Sequence, residues 1–142
     1  MRPSIAQERA KHALNEIRKI NNDNGRYSSD DKNKYASYVE SLPAAILANG
    51  LGQAMATLLA QAKGDKEDLH YVLYNSIQSW LCRDHSQAPY RNAEDLMEAI
   101  VNSNRETYIQ AQMEVLAYLE WLKKFAVAFF KKETVVEKEE TS

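Results

Sequence analysis

The sequence predicts an all-α protein, a single-domain helical bundle of about six to seven helices with a short polar C-terminal tail. Apolar residues recur at spacings of three and four along most of the chain, and no segment alternates with period two over a useful length. No internal repeat or long linker divides the 142 residues, which suffice to bury one core.

The first predicted helix follows Pro3, where Ser4 and Gln7 have the spacing of a capping box. The asparagine-rich run 21–25 ends this helix. Its predicted apolar stripe comprises Ala6, Ala10, Ala13, Leu14, Ile17 and Ile20.

Proline and glycine divide residues 29–63 into three predicted helices. Pro43 is expected to end one helix at Leu42 and to open the next, because the residue before proline disfavours the α conformation and proline suits a first helical turn. Gly50 is expected to end that second helix in the left-handed cap conformation. Leu51 then begins a third apolar run.

Three further helices are predicted in the second half. Asp65 and Asn92 are the expected N-caps of the first two, and Ser103 with Glu106 forms a capping box before the longest helix, which runs to about Lys132. The residues of this last helix expected to face inward are Ile109, Met113, Leu116, Tyr118, Leu119, Leu122, Phe125, Ala126 and Phe129. These elements place the bundle domain at residues 1–132, and residues 133–142 are predicted to be a mobile acidic tail.

Two blocks carry a resemblance to a known family. The first comprises Tyr35, Tyr38, Leu42-Pro43, Ile46-Leu47, residues 49–53 (NGLGQ) and Leu58-Leu59, and the second is residues 118–126 (YLEWLKKFA). Tyr71, Leu73-Tyr74 and Trp80-Leu81 lie between them and also fit. With these residues the chain resembles the small subunit of type III-B CRISPR–Cas effector complexes, the Cmr complexes.

The resemblance implies a non-catalytic, cytoplasmic protein. Small subunits of this kind stack with other copies of themselves into a minor filament, beside a filament of backbone subunits that holds the guide RNA. The expected partners are therefore the backbone and large subunits, further copies, the target RNA and possibly the guide RNA. The expected work is to hold the target strand of the guide–target duplex, while cleavage belongs to the backbone subunit.

Composition agrees with this class of protein. Hydrophobic residues make up 44% and charged residues 27% of the chain, as in ordinary globular domains. No apolar run approaches the roughly 20 residues that cross a bilayer, and the N-terminus lacks the apolar region of a secretory leader. Cys82 is the single cysteine, so no internal disulfide forms.

Residues suited to catalysis or to metal binding are few. Cys82 and His85 have the spacing of two ligands on one helix, but no second Cys or His pair completes a site. Gly50 and Gly52 lack the lysine of a phosphate-binding loop. We therefore expect no metal, no cofactor and no catalytic residue.

Basic residues give the one positive functional signal. Residues 1–63 carry a net charge of +3 although the whole chain has −2. The residues predicted to face RNA are Arg9, Lys11, Arg18, Lys19, Lys32 and Lys34, followed by Lys123 and Lys124. The alternative is an ordinary solvated helix face with Glu8 and Glu16 dispersed through it, on a bundle that binds only proteins. Tyr27 and Tyr90 are the expected exposed rings for base stacking.

Overall fold

The computed structural model describes residues 2–131, so the predicted tail at 133–142 lies outside the described residues. The fold is all-helical, as predicted, and the described part contains no strand. Its six helices are α1 (Ile5–Asn21), α2 (Ser29–Asn49), α3 (Leu51–Ala62), α4 (Leu69–Leu81), α5 (Leu96–Val101) and α6 (Arg105–Phe130).

Helix α6 lies at the centre, between α1 on one flank and α2 on the other. Arg9 and His12 of α1 contact Glu114 and Tyr118 of α6 in the same order, so α1 runs parallel to α6. Helix α2 runs antiparallel, because Tyr35 near its start packs on Phe130 near the end of α6. Helix α4 packs mainly against α3 and also contacts α2, α1 and α6.

The core face of α6 is narrower than the sequence pattern indicates. Ile109, Met113 and Phe129 were expected inside, but their exposed fractions are 46%, 66% and 41%. Only the narrow face between the two flanking helices is covered, and the buried residues of α6 are Ala111, Val115, Tyr118, Leu119, Leu122, Ala126 and Phe130. Ala6 of α1 is likewise exposed, since the buried face of α1 is turned toward Ala13, Glu16, Ile17 and Ile20.

The predicted break at Pro43 is absent, because α2 continues through this residue to Asn49. A proline inside a helix costs about 3 kcal/mol through a lost hydrogen bond and a ring clash. Val39, Leu42 and Ile46 lie on one face around Pro43, and all three are buried. Each contributes about 1.5–3 kcal/mol on burial, which together exceeds the local cost of the proline. Tertiary packing therefore overrides the helix-breaking signal.

Gly50 does end α2, although not in the conformation expected. Its φ of 88° is positive, but its ψ of 160° lies outside the left-handed helical region, in a region used almost only by glycine. Glycine has no side chain to cap the first turn of α3, and α6 supplies the acceptors instead. Leu51 N donates to Gln112 Oε1 at 2.9 Å, and Gly52 N donates to the Tyr108 hydroxyl at 3.0 Å.

The N-caps of the later helices lie one to three residues beyond the positions predicted. Asp68, Asp95 and Asn104 accept the first-turn N–H groups of α4, α5 and α6. Asp65, Asn92 and Ser103 were therefore wrong as caps, since each lies in the preceding turn. The capping box of Ser4 and Gln7 is confirmed.

Candidate nucleic-acid interface

The outer face of α1 is positively charged. Lys11, Arg18 and Lys19 are exposed, whereas the two acidic residues of this helix are withdrawn from the surface. Glu16 is only 8% exposed, and Glu8 is half-buried. The fully exposed charged residues of α1 are therefore all cations, while Glu8 stays partly exposed on the same helix.

Glu16 is withdrawn because it has specific partners. Ser76 of α4 donates its hydroxyl to Glu16 Oε1 at 2.8 Å, and Lys19 Nζ donates to Glu16 Oε2 at 2.8 Å. A buried carboxylate needs such donors to replace its lost hydration. The same carboxylate therefore holds the ammonium group of Lys19, whose side chain is still 76% exposed.

Arg9 has a different role from the other predicted cations. Its guanidinium donates to both carboxylate oxygens of Glu114, at 2.6 and 2.9 Å, and Trp80 Nε1 donates to Glu114 at 3.0 Å. Burial acts to raise the pKa of Glu114, but these hydrogen bonds and the nearby positive charges of Arg9 and Arg83 outweigh it and lower that pKa. Arg9 therefore joins α1 to α6 and has few donors left for another ligand.

The two predicted cations of α2, Lys32 and Lys34, lie at one end of the bundle. Lys32 Nζ is 3.2 Å from Asn21 Oδ1, which places the start of α2 against the end of α1. Lys34 is exposed and pairs with Asp30 at 3.3 Å.

The two lysines of α6 are level with Arg18 and Lys19 along the parallel pair of α1 and α6. Lys123 is half-buried and pairs with Glu120 at 3.6 Å, while Lys124 is exposed.

An open cleft of about 770 Å³ lies between α1 and α4, beside these cations. Its lining is entirely polar or charged and comprises His12, Asn15, Glu16, Arg18, Lys19, Asn22, Asp23 and Ser79. Ser79 comes from α4 and lies 60 residues or more from most of the others, so the sequence pattern of α1 alone could not identify it. Asn15 and Asn22 follow Lys11 and Arg18 by four residues each, and this spacing was the one available signal.

His12 forms the inner wall of the cleft. Its Nδ1 lies 2.8 Å from the Tyr118 hydroxyl, and its Nε2 lies 3.0 Å from Ser79 Oγ. Burial lowers the pKa of His12, the charge of Glu16 opposes this shift, and Lys19 and Arg83 add to it. The imidazole is therefore neutral at pH 7 and acts as a fixed bridge among α1, α4 and α6.

Chemistry at Cys82 has little support in the described residues. Burial raises the pKa of the Cys82 thiol to about 11, which opposes formation of the reactive thiolate. No group of three or more His, Cys, Asp or Glu side chains suited to a metal ion occurs among residues 2–131.

The two tyrosines predicted to stack on bases are not freely exposed. Tyr90 is only 8% exposed, so its prediction as a stacking ring was wrong. Tyr27 is half-buried and donates its hydroxyl to the Glu67 carbonyl at 2.7 Å.

The chain was compared with known families. Residues 5–129 match the CRISPR-associated protein family Cas_Cmr5, and the chain therefore belongs to this family. It is accordingly a small subunit of a Cmr-type CRISPR–Cas complex, which confirms the resemblance at this level. In the described part, no helix is long and apolar enough to span a membrane.

Proposed function

We propose that this chain is the non-catalytic small subunit of a type III-B effector complex, stacks with further copies into a minor filament, and holds the target strand of the guide–target duplex. The contacts are to phosphate groups, and base pairing with the guide reads the sequence. A cytoplasmic location, where Cys82 stays reduced, belongs to the same proposal.

One observation carries the proposal. The exposed charges of α1 are all positive because Glu16 is bound inside the bundle and Glu8 is half-buried. Lys11, Arg18 and Lys19 then form the centre of a surface that Lys32 and Lys34 extend onto α2. The exposed cations of α1 suit a phosphate backbone, and on α2 Lys34 shares the surface with its ion-pair partner Asp30. The near-neutral total charge suits a subunit that shares the nucleic acid with its neighbours.

A second surface, made of exposed apolar side chains, supports contacts with the backbone subunit, the large subunit and other copies. Met113, Ile109 and Trp121 of α6 have exposed fractions of 66%, 46% and 36%. Exposed apolar side chains at the outer face of a central helix are typical of protein contacts. Lys124 lies on the same helix, so it is available to either a protein or the RNA.

The test is the salt dependence of target binding by the assembled complex. Each phosphate contact contributes about −0.7 to the log–log slope for a single strand. Replacing Lys11, Arg18 and Lys19 with alanine should flatten the slope by about 2. It should also weaken binding to all target sequences alike.

The control removes the same charge elsewhere, by replacing the exposed residues Lys66, Arg91 and Arg105 with alanine. This variant should leave the slope unchanged. If the α1 variant assembles and keeps the parent affinity and slope, the RNA-facing assignment is wrong, and a subunit that binds only proteins takes its place.

A further inference from the structure

The α1–α4 cleft holds several hydrogen-bonding groups without partners. The side-chain amides of Asn15 and Asn22 make no hydrogen bond with any other group in residues 2–131, and both line the cleft. Arg18, on the same wall, forms no ion pair within the described part of the chain. A surface of this kind offers free donors and acceptors to a polar ligand.

The Ser79 hydroxyl is also available, for a reason that lies inside the bundle. The Tyr118 side chain is fully buried, and among the described residues the acceptor within reach of its hydroxyl proton is His12 Nδ1, at 2.8 Å. A buried O–H without an acceptor is costly, so Tyr118 donates and the proton of the neutral His12 is on Nε2. His12 Nε2 then donates to Ser79 Oγ at 3.0 Å.

Ser79 keeps its own proton as a result. The hydroxyls of Ser37, Ser41 and Thr57 each donate to a carbonyl of their own helix, at 3.4, 3.1 and 2.9 Å. Ser79 makes no such bond within the described chain, since its hydroxyl oxygen is turned toward His12 in the cleft. Its O–H group can therefore donate to a ligand there.

We infer that this cleft binds the ribose–phosphate backbone of RNA and distinguishes RNA from DNA through the 2′-hydroxyl. The inference rests on the proposed function, because it assigns a ligand chemistry to the surface that carries Arg18 and Lys19. Ser79 and Asn15 are the residues assigned to the 2′-hydroxyl, and Arg18 is assigned to the adjoining phosphate.

The chemistry of the lining favours this ligand over others. A 2′-hydroxyl both donates and accepts, and it matches an amide that carries an acceptor beside two donors and a hydroxyl that donates. The cleft is lined by no Phe, Tyr or Trp ring on which a base would stack. The carboxylates of the lining have partners of their own, since Glu16 pairs with Lys19 and Asp23 pairs with Arg26. Arg18 has no ion pair within the described residues, and it favours an anionic ligand over a neutral sugar.

The test uses the full chain, labelled with ¹⁵N, at low salt. The probes are uridine oligomers of about ten nucleotides, as RNA, as DNA and as 2′-O-methyl RNA, which share one base and differ only at the 2′ position. Affinity and the side-chain amide signals of Asn15 and Asn22 are followed by NMR. RNA should bind at least about fivefold more tightly than either analogue and should shift both amide signals.

The variants Ser79→Ala and Asn15→Ala should each lower RNA affinity about fivefold, which corresponds to one hydrogen bond, and should leave DNA affinity unchanged. Ser37→Ala is the matched control, because its hydroxyl is bonded within α2, and it should change neither.

Equal binding of RNA and DNA, weakened alike by Arg18→Ala, overturns the inference and leaves the proposed function standing. An RNA preference that survives both Ser79→Ala and Asn15→Ala also overturns it. Failure of the folded chain to bind any oligomer overturns it too, because the cleft is complete within one chain, while the proposed function is tested separately in the assembled complex.

Discussion

The two flanks of α6 are held by different chemistry. On the α1 side, Arg9 binds Glu114 through two hydrogen bonds, and His12 binds Tyr118. On the α2 side the contact is mainly apolar, with the Tyr35 ring edge-on to Phe130 at a centroid distance of 6.1 Å. Directional hydrogen bonds thus fix the position of α1 along α6 and its rotation about its own axis. The position of α2 depends instead on the packing of apolar side chains.

The difference predicts that acid weakens the α1 flank, whereas the α2 flank responds little. The pKa values of Glu114 and His12 are both lowered in the folded protein. A lowered pKa means that the unfolded chain takes up the proton first, so stability falls as the pH drops. The loss attributable to His12 begins near its unfolded pKa of about 6.5, and that of Glu114 begins near about 4.3. Between α2 and α6, the one ion pair recorded in the described residues is Glu40–Lys131, at the C-terminal end of α6.

The largest predicted effect is on the α2 flank. Ile46 is fully buried, and Ile46→Ala should cost about 2–5 kcal/mol of unfolding free energy, because the core loses apolar volume and gains a cavity. The loss, measured by urea denaturation, should be the same at neutral and at acid pH, since no ionisation is involved. Leu47→Ala is the matched control at a side chain that is 70% exposed, and it should cost far less. A loss that grew on acidification would contradict the apolar description of this flank.

A smaller effect is predicted at the corner where α2, α3 and α6 meet. Gly50→Ala should cost about 2 kcal/mol, because a side chain resists the glycine conformation. The added Cβ would also lie 2.9 Å from the hydroxyl of Tyr108, which bonds to Gly52 N.

Gly25→Ala is the comparison for this corner, since Gly25 has φ +75° but nothing within 4 Å of an added Cβ. Thermal unfolding of the two variants separates backbone strain from the clash. Equal losses of thermal stability in the two variants would show that the Tyr108 side chain moves away from the added Cβ at no cost and that the corner is not tightly packed.

The smallest predicted effect is on the α1 flank. Glu114→Gln keeps the shape of the side chain but removes the charge that binds Arg9, and it should cost about 1–2 kcal/mol near pH 7. Because the parent loses the same charge when Glu114 is protonated, the stabilities of parent and variant should approach each other as the pH falls below about 4.3, and they should converge below the lowered pKa of folded Glu114. Thermal unfolding across this range is the measurement, and a constant difference at all pH values would show that packing, not charge, joins α1 to α6.

This polar flank also bears on function. The bonds of Arg9, His12 and Glu16 point inward, and they leave Lys11, Arg18 and Lys19 on the outside of α1. Glu16 is buried and accepts hydrogen bonds from Ser76 and from Lys19. Helix α1 therefore keeps Lys11 and Arg18 as exposed cations without an ion pair in the described residues, while Lys19 is exposed but paired.

Much of the fold follows from the sequence. Helical periodicity predicted the all-α class, and the Ser4–Gln7 box and Gly50 correctly marked helix ends, because capping and positive φ are local properties of a few residues. The six cations on α1 and α2 were also visible, since charge is read directly from the chain. The sequence did not show which of these cations form ion pairs, because the partner of Arg9 is Glu114, 105 residues away.

The tertiary structure decided what depends on distant contacts. It carried α2 through Pro43 because Val39, Leu42 and Ile46 are buried together, and it turned Met113 outward because only one face of α6 lies between α1 and α2. It also brought Ser79 of α4 to His12 of α1 and so formed the cleft. Spacing along one helix determines which residues share a face. Whether that face is buried depends on packing free energies summed over several helices. These free energies exceed a local signal such as the helix-breaking tendency of one proline.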